Sequence, residues 1–284
     1  MGTSSSYGGA GGGTPLVPTW LDDDPPPAPT APAGDDAAPP PPAPPERPAP
    51  PPPPPSDRFT AARSNFSRFA RSGGADHPSL ARAMSHYVSR ATGGPKQAAH
   101  RLGASRQAAA RLLQVITDAQ TRGARAALRT LNLERLAGRP IDEIFLGMTD
   151  FICREGGAID DGIARDAFIE TIADLATLGV TDLDHLTTDQ IQAVFELFAT
   201  HAIESRICND IGANVVTLPS SPGAAQQVQR QLHDFIRRGV SDALVAARAA
   251  LEALTPERVL TFVVGVYESA FGILQALADS EAGK

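Results

Sequence analysis

The chain has few residues of several kinds: two cysteines, Cys153 and Cys208, two lysines, three tyrosines and one tryptophan among 284 positions. Two cysteines in apolar helical surroundings fit an intracellular, reduced protein rather than a disulfide scaffold. The opening residues have neither the charged nor the apolar region of a secretory signal. There is no unbroken run of about 18 apolar residues, so no membrane span is expected. Alternating strand patterns are also missing, apart from the short stretch Ala213 to Leu218. No Ser or Cys stands in a recognisable nucleophile setting, and no internal repeat is present. The glycines at 8, 9, 11, 12 and 13 lack the lysine and following helix that a phosphate-binding loop needs.

Proline and glycine, at 26 and 25 residues, are abundant and unevenly placed. Eighteen prolines fall between Pro25 and Pro55 with almost no large apolar side chain among them. Residues 22–57 therefore read as a disordered, Pro-rich linker, since too little surface is available to bury. At about 3.1 Å per residue in polyproline II, such a linker extends roughly 100 Å. Beyond it lie residues 1–21, a presented peptide whose front is small, polar and glycine-rich and whose end, Thr14 to Leu21, holds two prolines and Trp20. Burying an aromatic of that size contributes roughly 2–3 kcal/mol to a docking event.

From Asp57 onward the spacing is helical. Phe59, Ala62, Phe66 and Phe69 form one stripe, and Leu80, Met84, Tyr87 and Val88 form a second after the N-cap Asp76. A third segment runs from Pro95 towards Leu133 with breaks at Gly103 and Gly123. Pro140 opens a helix with Ile141, Ile144, Phe145, Met148, Phe151 and Ile152 facing inward. Further helices are predicted at about 160–178, 187–211, 222–239, 240–253 and 255–279. The expected fold class is all-α, a helical bundle-like domain behind a long disordered Gly-rich and Pro-rich amino-terminal region.

Charge divides the helical region. Residues 58–139 hold 15 Lys and Arg against 3 Asp and Glu, whereas 140–284 hold 9 against 22. The basic part (58–139) and the acidic part (140–284) are expected to form one domain, 58–284. Two readings of the basic part follow: its helices lie against acidic protein surface, or they face nucleic-acid phosphates. Pro95 to Leu113 resembles a repressor helix-turn-helix, with Gly103 at the turn and Ser105 able to cap the second helix. In that reading Arg101, Arg106, Gln107 and Arg111 contact DNA. The same letters fit any short helical hairpin packed through alanine.

Asp160, Asp161, Asp166, Glu170 and Asp174 crowd one segment, and His201, Glu204 and Cys208 follow at helical spacing on another. A bundle metal site would draw on two such helices, but a solvated acidic face explains the same residues. No metal and no cofactor is assigned, and the chain is expected not to be an enzyme.

Met1-Gly2-Thr3-Ser4-Ser5-Ser6-Tyr7-Gly8-Gly9, a glycine run, then Thr14-Pro15-Leu16-Val17-Pro18-Thr19-Trp20-Leu21 resembles the amino terminus of the QatB family of bacterial anti-phage systems. The resemblance implies a cytoplasmic, adaptor-like component acting with an ATPase, a QueC-like enzyme and a TatD-like nuclease. It also gives the peptide a chemistry. Removal of Met1 is expected to leave Gly2 with a free α-amine of pKa about 7.7–8.0, partly neutral at cellular pH. A QueC-like enzyme activates a deazaguanine carboxylate with ATP and passes it to ammonia, a place that the Gly2 amine can take. Thr3, Ser4, Ser5, Ser6 and Tyr7 would then enter the partner, and Leu16, Val17, Pro18, Trp20 and Leu21 would dock outside it. The alternative is a DNA-binding helical protein that recruits the nuclease to phage DNA.

Overall fold

The computed structural model describes residues 57–154, 156–175, 182–212, 219 and 221–282. The presented peptide, nearly all of the linker and the strand candidate at 213–218 lie outside the described residues. Every regular element among the described residues is helical: α1 (Thr60–Arg71), α2 (His77–His86), α3 (Pro95–His100), α4 (Gly103–Arg122), α5 (Ala124–Thr130), α6 (Ile141–Ile152), α7 (Ile159–Leu175), α8 (Thr188–Ile211), α9 (Pro222–Ala246), α10 (Arg248–Glu252) and α11 (Val259–Ala282). A π-helical turn, Tyr87–Ala91, extends α2.

Local chemistry sets most boundaries. The Asp76 carboxylate accepts the Ser79 N–H at 3.0 Å and Pro78, which has no N–H, sits in the first turn, so α2 starts where one orphan donor is paired and another is missing. Thr187 and Gln190 form a reciprocal capping box at the head of α8. That helix ends at Gly212, whose φ of +86° a side chain would resist.

One predicted boundary is absent. The sequence suggests a helix end at Gly239, but α9 runs unbroken from Pro222 to Ala246. Gly239 faces α11 instead, and a Cβ there would come within 2.6 Å of the Leu274 side chain. Close helix approach, rather than termination, accounts for this glycine. Phe151 also departs from expectation: it is 40% exposed, off the α6 stripe of Ile144, Phe145, Met148 and Ile152.

Basic and acidic segments share one continuous core that runs from Phe59 to Ala278. An aromatic series threads it: Phe145 stacks on Phe168 at 5.8 Å, Phe168 meets the edge of Phe198, and Phe195 meets Phe262 and Tyr267. Helix α11 packs against α2, α3, α4 and α9, and α8 lies between α7 and α9. The segment Pro256–Ala282 contains an 18-residue window with a mean hydropathy of 1.5, so by length and composition it could cross a membrane. Counting unbroken apolar residues overlooks it, because Thr261, Glu268 and Ser269 interrupt the run. In this fold Phe262, Val263, Val266, Tyr267, Phe271 and Leu274 on that helix are buried in the core.

Candidate functional site

Gly2, Thr3, Ser4, Ser5, Ser6, Tyr7, Leu16, Val17, Pro18, Trp20 and Leu21 lie outside the described residues. The helical part shows two polar constructions: a buried ionic network between the basic and acidic segments, and a histidine-bearing groove.

Asp210, near the end of α8, is the centre of the network. Its carboxylate accepts two N–H bonds from Arg101, at 2.8 and 3.0 Å, and the Tyr87 hydroxyl at 2.9 Å. Arg206 approaches the same carboxylate at 3.3 Å and reaches Asp160 at 3.4 Å. The Asp210 side chain is only 6% exposed, so its charge depends on these partners rather than on water. Burial pushes the Tyr87 hydroxyl pKa up, and the neighbouring Asp210 charge adds to the effect.

Charge complementarity continues at the helix ends. Arg63 donates to the carbonyls of Ile211 and Asp210, placing a cation at the negative end of α8. Asp160 accepts the Ala104 N–H at 2.8 Å in the first turn of α4, and Asp184 accepts the Ala124 N–H that opens α5. Acidic residues thus cap basic-segment helices, and a basic residue caps an acidic-segment helix.

Of the four residues of the helix-turn-helix reading, Arg101 and Arg111 are bound to the acidic segment. Arg101 is held by Asp210. Arg111 donates to the Ile152 carbonyl at 2.7 Å and to exposed Gln107 at 3.2 Å. Arg106 is half-buried, with its Nε shielded from solvent. Ser105 caps nothing: it is buried in α4, whose buried positions include Ala108, Ala109, Leu112 and Leu113.

The groove lies along α7, α8 and α9. A cavity of about 510 Å³ is lined by Glu170, His201, Glu204, Cys208, Arg230 and His233, among others. A more apolar cavity of about 320 Å³, lined by Phe66, Ile211, Val228 and Leu232, shares Glu204, Cys208, Gln226 and Gln229 with it. His201 Nε2 is 2.9 Å from Asp174, and His233 Nδ1 is 2.9 Å from Glu204. The two imidazole rings are 5.3 Å apart. The Glu204 hydrogen bond raises the His233 pKa above its ordinary value against the opposing effect of burial.

The acidic segment predicted from sequence is split by the fold. Asp174 joins His201, Asp160 serves the network, and Asp166 is exposed. His233 is the residue that local spacing did not reveal, because it arrives from α9. Both cysteines are free, and burial pushes both thiols up to about 12, so neither is an activated thiolate.

The family model described as Qat anti-phage system associated protein QatB matches residues 93–274, a span that contains Arg101, Asp160, Arg206 and Asp210 of the network, though not Tyr87, and the histidines and Glu204 of the groove. No curated protein and no solved structure matches the chain. The match covers well over half of the sequence: the chain belongs to the QatB family and is a component of the Qat anti-phage system.

Proposed function

We propose that this chain is the non-catalytic, cytoplasmic adaptor of its Qat system, with residues 58–284 as one carrier domain that the 22–57 linker joins to a peptide presented to the QueC-like partner. Leu16, Val17, Pro18, Trp20 and Leu21 dock on the partner, and Thr3, Ser4, Ser5, Ser6 and Tyr7 lead Gly2 into its active site. There the Gly2 α-amine attacks the carbonyl of an adenylated deazaguanine carboxylate. The new C–N bond gives an amide, AMP leaves with the carboxylate-derived C–O bond broken, and the amine loses one proton. ATP supplies the activation, so the adaptor provides only the nucleophile. The ATPase and the TatD-like nuclease bind the same assembly.

The sequence of residues 1–21, within a chain of an anti-phage family, carries this reading. An amine on the smallest residue, followed by a flexible segment and then a Trp-containing plug, suits an acceptor substrate. Use of Arg101 and Arg111 inside the fold favours the adaptor over duplex readout by residues 95–113. Pull-down of the QueC-like enzyme by the full chain tests the docking step. Replacing Trp20 and Leu21 with alanine weakens capture at least tenfold, whereas undiminished capture contradicts the proposed plug.

A further inference from the structure

The geometry points to a site for a late first-row divalent cation of the Zn²⁺ type, formed by His201, Glu204 and His233 where α8 meets α9. One ligand atom from each of these residues lies within 4.8 Å of those of the other two. Two imidazole nitrogens and one carboxylate oxygen are a donor set that suits Zn²⁺, with bonds of about 2.0–2.2 Å and one position left for water or a further ligand. A tetrahedral edge of roughly 3.3–3.5 Å follows from those bonds, so ligation would replace the 2.9 Å His233–Glu204 hydrogen bond with bonds from both side chains to the ion.

The surroundings favour an ion over a chance meeting of side chains. His201 and Glu204 are 13% and 12% exposed and His233 is 25% exposed, deep enough to limit competition from water yet open along the groove. Asp174 meets His201 Nε2 at 2.9 Å, which leaves Nδ1 to bind the metal and reproduces the carboxylate–histidine support common around zinc. Glu170 and Asp234 line the same cavity and add negative charge, with Arg230 the cation among the lining residues. Mg²⁺ and Ca²⁺ prefer oxygen-rich shells and are poorly served by two imidazoles. The ion would join α8 to α9, and its remaining coordination position would open to the groove.

The test uses the full-length, tag-free chain stripped with chelator and titrated with ZnCl₂ or MgCl₂. One equivalent of Zn²⁺ is expected to bind with micromolar or tighter affinity and to raise the thermal midpoint, with no response to millimolar Mg²⁺. His201→Ala and His233→Ala each weaken Zn²⁺ binding at least tenfold, while Cys153→Ser, remote from the groove, leaves it within twofold. Circular dichroism shows whether each variant is folded, and Glu204→Gln, nearly isosteric, provides a second ligand change that also loses affinity. Absence of Zn²⁺ uptake by the unaltered chain at about 100 micromolar metal, well above the micromolar affinity expected of two imidazoles and a carboxylate, overturns the proposal. So does unchanged affinity in the folded double variant H201A/H233A.

Discussion

Arg101, just beyond α3, and Asp210, near the end of α8, form a two-point ion pair with N···O distances of 2.8 and 3.0 Å. The pair links the basic and acidic segments at a position where Asp210 is nearly closed to solvent. Neutralising it on one side only leaves Arg101, Arg206 and the Tyr87 hydroxyl competing for a missing acceptor. Asp210→Ala is expected to lower unfolding free energy by about 3 kcal/mol. In a double-mutant cycle with Arg101→Met the coupling is about 1–3 kcal/mol. Chemical denaturation measures both, and a loss below about 1 kcal/mol for Asp210→Ala contradicts a central role for this carboxylate.

Gly239 and Gly272 make a matched pair of tests. Both lie within helices, but a Cβ at Gly239 would meet Leu274 whereas one at Gly272 meets nothing within 4 Å. Gly239→Ala is expected to destabilise by about 1–2 kcal/mol despite alanine's better helix propensity. Gly272→Ala gains about 0.5–1 kcal/mol. Thermal denaturation separates the two, and equal gains would show that α9 and α11 do not approach closely.

Those glycines show where the sequence was informative and where it was not. The Phe59–Phe69 stripe, the Asp76 cap and the breaks at Gly103 and Gly123 are local signals, and each marks an element that is present. At Gly239 the same letter served a contact with Leu274 on another helix, which local spacing cannot register. The groove follows the same rule. His201 and Glu204 are neighbours on one helix and were legible together, with Asp174 on the facing α7 among the carboxylates that spacing singled out, whereas His233 comes from α9. The family resemblance was legible in residues 1–21, whose order of Gly, Ser, Pro and Trp is unusual. The family match instead covers 93–274, where alanine- and arginine-rich helical sequence has fewer individual features.

The segment before α8 supplies a pH-dependent prediction. His185 Nδ1 lies 2.7 Å from Asp182, and that hydrogen bond raises the histidine pKa above 6.5 while holding Asp182 below 3.8. Nearby, Leu183 is buried and its carbonyl accepts from Gln120 at 3.1 Å. Because the folded His185 pKa is raised, the pair's histidine-linked stabilisation is fully present below about pH 6.5 and disappears as pH rises through the folded value. The carboxylate-linked part is present above about pH 3.8 and is lost as pH falls through the depressed Asp182 value. NMR titration should find His185 elevated, and Asp182→Asn should return it towards 6.5. An unchanged His185 titration in that variant contradicts the pairing.

The most direct measurement of the adaptor account is amino-terminal peptide mass spectrometry on the full chain, purified with and without the QueC-like gene. The account predicts loss of Met1 and an added deazaguanine acyl mass on Gly2 only when that gene is present, with Gly2→Pro abolishing both the added mass and phage protection. An unmodified Gly2 in both samples, or Gly2→Pro with full protection, contradicts it.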